Sequence, residues 1–107
     1  MVLYSKTAIE NLTDILIGLI NWPKHPLSVE HAENYVAEIR FVCDELDTKS
    51  FHFNTRFALH KSCGSKVHTY RKNKQTSWYI IYNLDRNANV YIERILSNHN
   101  TTTIDDI

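Results

Sequence analysis

The sequence predicts an α+β fold: a short N-terminal strand, an antiparallel helix hairpin, and then an antiparallel three-stranded meander, in one domain spanning 1–107. Two observations predict the helices. Apolar residues recur at three- and four-residue spacing in two segments of the first half, and the only two prolines, Pro23 and Pro26, fall between those segments. A third observation predicts the sheet: the second half holds three runs of alternating or aromatic and β-branched residues, separated by turn-forming clusters.

Val2, Leu3 and Tyr4 read as the first strand. Ser5 then offers an N-cap hydroxyl, and Thr7 with Glu10 repeats the S/T-x-x-E capping pattern. Ala8, Ile9, Leu12, Ile15, Leu16, Leu19 and Ile20 make one apolar face, which predicts an amphipathic helix of about four turns. "NWPKHP" ends it, because proline cannot continue a helix and pushes the residue before it toward extended geometry. Ser28 can cap a second helix carrying Ala32, Tyr35, Val36, Ile39, Cys43 and Leu46 on one face, with Glu30, Glu33, Glu38, Asp44 and Glu45 mostly on the other. Helices joined by so short a connection pack antiparallel.

From Thr48 to Gly64 no period persists, yet Phe51, Phe53, Phe57 and Leu59 are too apolar for a free loop, and the alternation in "SFHFN" suggests a short strand. Beyond Gly64, "KVHTYRK", "SWYIIYNL" and "NVYIERIL" read as three strands, with "DRNAN" supplying turn chemistry between the last two. Trp78, Ile80, Tyr82 and Leu84 should share one face, and Tyr79, Ile81 and Asn83 the other. Both faces are apolar, as for a central strand with helices on one side and a tail or partner on the other. Arg94 alternates with Val90, Ile92 and Leu96, as a strand arginine paired with Glu93 or a tail carboxylate would.

The formal charge of zero conceals an asymmetry. Residues 1–47 carry eight carboxylates against Lys6, Lys24 and Arg40, whereas 48–84 contain none beside seven Lys and Arg and three His. A cationic segment of this kind attracts polyanions or an acidic protein. Cys43 and Cys63 form no CxxC pair and the six His show no ligand spacing, so neither a metal nor another cofactor is expected. The longest apolar run, "ILIGLI", is far short of the roughly 20 residues of a membrane span, and "MVLYSKTAIE" lacks the features of a secretory signal. No membrane association and a cytoplasmic location are therefore expected.

In layout, and in the motifs "YSKTAIENL" and "TYRKNKQTSWYIIYNLDRNANVYIERIL", the chain resembles the RelE/ParE superfamily of bacterial toxins from type II toxin–antitoxin, or plasmid stabilization, systems. Ser5, Ala8 and Leu12 match the spacing of that family's opening. The second motif is similar to its Arg-bearing strand, "YxIIY" strand, acidic turn and final strand. Departures are Lys74 to Trp78 in place of the family's Gly and Arg before the apolar strand, and His99 standing slightly late with no basic residue behind it. The resemblance implies a cognate antitoxin as partner and one of two activities. RelE-like members cut messenger RNA on the ribosome as metal-independent endoribonucleases; ParE-like members inhibit DNA gyrase without catalysis. For the nuclease, Arg71, Arg94 and His99 would be the catalytic set, with Lys66, Lys72 and Lys74 as point charges along the RNA. A non-toxic RNA- or protein-binding domain would account for the cationic segment equally well.

Overall fold

A computed structural model describes residues 1–98. The fold is α+β, with three α-helices and a five-stranded mixed sheet among the described residues. Strand β1 (Val2–Tyr4) leads into α1 (Lys6–Ile20), and α2 (Val29–Asp44) follows after a short connection. Each helix begins where its serine can take an orphan N–H: Ser5 Oγ accepts from Ala8 at 2.9 Å and Ser28 Oγ from His31 at 3.1 Å. Tyr4, just before α1, donates its hydroxyl to Asp44 at the end of α2, so the two helices run antiparallel.

Strands β3 (Lys66–Arg71), β4 (Ser77–Leu84) and β5 (Val90–Ser97) form consecutive antiparallel neighbours, and β1 joins the far side of β5 in parallel. A single turn of 3-10 helix (Leu46–Thr48) leads into the segment that showed no clear period, which contains a two-residue edge strand β2 (Phe53–Asn54) paired with β3, and the six-residue helix α3 (Ala58–Cys63). Strand β2 lies within the alternating "SFHFN", whereas a helix as short as α3 cannot display a repeat of 3.6.

The core lies between the helix pair and one face of the sheet. Ile39, Ile80 and Ile92 are fully buried there, and Ala8, Leu12, Cys43 and Leu46 close the helix side. Trp78 fills the space toward α2 and donates its indole N–H to the Tyr35 hydroxyl at 3.0 Å, the two rings standing edge to face. Burial in this layer pushes the Cys43 thiol and the Tyr82 phenol each up to about 12. The apolar stripe of α1 is narrower than its spacing suggests: Ile9 is largely exposed, because only Ala8 and Leu12 come fully under the sheet.

Opposite the core, the sheet is partly roofed by α3. His60 lies against the Tyr79 ring at 5.0 Å, and Gly64 closes in behind it. A Cβ on Gly64 would meet Ile81 Cγ2 at 3.0 Å and the Tyr82 carbonyl oxygen at 3.1 Å. Glycine is required there for close approach, since its backbone is extended at φ −178°. Gly64→Ala should therefore destabilise the protein by about 1–3 kcal/mol, read as a lower urea midpoint with an unchanged slope.

His68 on β3 is half-buried near Phe41, Val42 and Tyr70, with Lys49, His52 and Glu45 as the titratable groups around it. Burial, then Lys49 and His52, lower its pKa below the ordinary 6.5, so the folded protein holds the neutral ring where the unfolded chain already binds a proton. The contribution to stability is level above about pH 6.5 and is lost progressively as pH falls toward the lowered folded value. In His68→Gln, stability measured by urea unfolding between pH 7.5 and 5 should fall less steeply than in the parent.

Candidate functional site

Register decides which cations share a face. Arg71 pairs with Ser77 and Arg94 with Ile81, so both project to the face that carries Tyr79 and α3, away from the α1–α2 layer. Arg94 reaches that side through a β-bulge. Ile81 opposes Arg94 while Tyr82 opposes Ile92, which leaves Glu93 as the extra residue and reverses the alternation between them. A regular strand would have put Arg94 beside Val90 and Ile92 in the core; the bulge instead buries Ile95 and turns Arg94 outward.

The two arginines are not in contact. Their pairing partners, Ser77 and Ile81, stand four positions apart along β4, about 13 Å, and they flank β4 on opposite sides, about 10 Å apart across the strands. Arg94 donates from Nη1 to Cys63 Sγ of α3 at 3.7 Å. Arg71 donates to the backbone carbonyls of Asn73 and Lys74, at 3.3 and 3.4 Å, and so closes on its own turn. His99, the third member of the expected catalytic set, lies outside the described residues.

The lysines are sorted differently. Lys72 crosses to the helix side, forms an ion pair with Glu38 of α2 and lies over the Tyr35 ring at 4.7 Å. Its ammonium holds the Glu38 carboxyl below the usual carboxylate range, and the carboxylate holds the Lys72 ammonium above its own. Lys66 opposes Tyr82, whose ring belongs to the core layer, and donates to the Asn54 side chain. Lys74 is exposed in the β3–β4 turn. The cationic segment, contiguous in sequence, is thus divided between the two faces of the sheet.

The side that carries α3 also holds a cleft of about 400 Å³ that no motif announced. Phe53 enters it from edge strand β2, next to Val67 with which it pairs. Thr69 and Tyr79, paired across β3 and β4, continue its floor, while Phe57 and His60 rise from the start of α3 with their rings 5.4 Å apart and nearly perpendicular. Arg56 stands at the rim. The signal for this site was present as the cluster of Phe51, Phe53 and Phe57 around an arginine, apolar residues with no helical or strand period to bury them. Phe53 and Phe57 remain 65% and 54% exposed.

Among the described residues no group of three or more metal-ligating side chains occurs, and no helix is long and apolar enough to cross a membrane. Chemically, this face can offer guanidinium donors to a phosphate, aromatic rings to a flat ligand, and the Thr69 hydroxyl between them. No protein-family model, curated protein or solved structure matches the chain.

Proposed function

We propose that the chain is the toxin of a type II toxin–antitoxin module and that it arrests growth by cutting messenger RNA on the ribosome. The observation that carries this reading is the α3 side of the sheet, where the bulge turns Arg94 out onto the side that already presents Arg71, Thr69 and Tyr79. It is supported by the order of strand, helix pair and meander, and by the motifs through which the sequence resembles RelE-like toxins. RNA cleavage through the 2′-hydroxyl needs a proton acceptor, cations for the charge that develops on the phosphorane, and a proton donor for the leaving oxygen. Arg94 and Arg71 supply the cations, and His99 is the proton-transfer group in this proposal.

One observation favours the runner-up, a non-catalytic gyrase inhibitor of the ParE kind. The two guanidiniums are separated across β4 and each is occupied by protein atoms, an arrangement that binding tolerates and in-line catalysis does not. The nuclease reading therefore requires Arg94 to exchange Cys63 for phosphate when RNA arrives.

Both readings are tested in one experiment. The purified protein is added to a reconstituted translation reaction and to a gyrase supercoiling reaction. Message fragments should appear in the first, and Arg94→Ala should reduce their rate of formation by roughly 10²- to 10³-fold with the melting temperature unchanged. Inhibition of supercoiling without message fragments would reverse the order of the two readings.

A further inference from the structure

The aromatic cleft beside α3 plays no part in the chemistry assigned to Arg71, Arg94 and His99. Its makeup points to a ligand. Phe53 and Phe57 are over half exposed, each touching another ring only edge to face, Phe51 and His60 respectively. Their exposed ring surfaces border a cavity within the 300–1,000 Å³ range of small-ligand sites. No carboxylate lines it, Arg56 does, and the region of chain that builds it, 48–84, contains no Asp or Glu. Rings that present their faces, a cation at the rim and an excluded negative charge are what an unpaired nucleotide requires: stacking for the base and a guanidinium for the phosphate. An apolar peptide would have no use for Arg56, and a simple anion no use for the rings.

The position fits the same ligand. Phe53, Val67, Ile81 and Arg94 form one row across β2, β3, β4 and β5, so the cleft and Arg94 lie at the two ends of one cross-strand line, roughly 14 Å apart. Because Gly64 and α3 cover Ile81 in the middle of that row, a strand of RNA with one base in the cleft would reach Arg94 by passing over α3.

We propose that the cleft between Phe53, Phe57 and Tyr79 holds one unpaired base of single-stranded RNA, with Arg56 on its phosphate, and so positions the message relative to Arg94. This rests on the messenger-RNA reading above and adds to it the residues that grip the substrate away from the reacting phosphate. His60 acts as a wall that sets the angles of Tyr79 and Phe57, with which its ring is in contact.

The test uses the purified protein and a fluorescently labelled single-stranded RNA nonamer at low salt, together with the translation reaction. Phe53→Ala/Phe57→Ala removes two exposed rings and should leave the melting temperature close to that of the parent. It should weaken binding by roughly 5- to 150-fold, the effect of losing a stacked base. Nonamers with one abasic site should show a loss of similar size for the parent at one position and none for the double variant. Arg56→Gln, a second variant outside the core, should weaken binding and make its salt dependence shallower by about one unit of slope.

If the double variant binds RNA and cleaves messages like the parent, the cleft assignment fails and the toxin reading survives. If the variant keeps its RNA affinity but no longer retains a co-expressed antitoxin, the cleft is a protein-binding surface and the assignment again fails. A parent that neither binds the nonamer nor cleaves messages removes both readings.

Discussion

The rest of the molecule depends on the double burial of β4. Ile80 and Tyr82 are fully buried on the helix side and Trp78 nearly so, while Ile81 is fully buried on the α3 side. One strand therefore anchors two layers. Strands β3 and β5, which carry the candidate residues Arg71 and Arg94, both take their register from β4. A one-residue slip of either would exchange core and site faces over its whole length. Because the two faces differ so sharply in partner, such a slip would turn a guanidinium toward the helix layer, where burying a charge is costly. Tight specification of register and placement of the cations are the same physical fact.

Within that frame the bulge at Glu93 resolves a conflict between two demands on β5. The core needs Val90 and Ile92 at one end and Ile95 at the other, an odd spacing that a regular strand cannot place on one face. Inserting one residue satisfies both ends and returns Arg94 to the α3 side beside Ile81. The irregular point of the sheet is thus the point that decides which side Arg94 faces. The adjoining turn is held by Asp85, whose carboxylate accepts from the backbone N–H groups of Asn87 and Asn89, so β5 starts from a fixed position even though Ala88 adopts a positive φ of 62°.

What could be read from the sequence and what could not follow from element length. Helices of 15 and 16 residues repeat their pattern several times and carry Ser5 and Ser28 at their starts, so their extent and their apolar faces were legible. The alternation of Trp78, Ile80 and Tyr82 with Tyr79 and Ile81 was legible for the same reason. The two-residue strand β2 showed only as the brief alternation in "SFHFN", and the six-residue helix α3 offers no repeat and follows from tertiary contacts. Phe53 is in β2 because Val67 stands opposite it. The side on which Arg94 projects was illegible for a further reason: a bulge is a property of two paired strands, and the residue it frees is visible only once the partner is known. Likewise nothing along the chain links Cys63 to Arg94, thirty-one residues apart and 3.7 Å from each other in the fold.

The same sorting shows what kind of recognition the positive charge supports. Counted along the chain, 48–84 is an undivided basic tract suited to diffuse attraction of any polyanion. Folded, it is divided between the two sides of the sheet. Lys66 and Lys72 go to the helix side, where Lys72 is held by Glu38 and the Tyr35 ring. Arg56 and Arg71 go to the side of α3 and the cleft, where α3 carries Lys61 and β5 adds Arg94 from beyond the tract. Guanidinium is planar, stacks on rings and presents paired N–H donors to phosphate, whereas ammonium acts as a point charge. Using arginine where the aromatic cleft lies, and lysine where a helix carboxylate waits, gives that face a directional capacity for phosphate and flat rings that the basic tract does not have as a linear sequence.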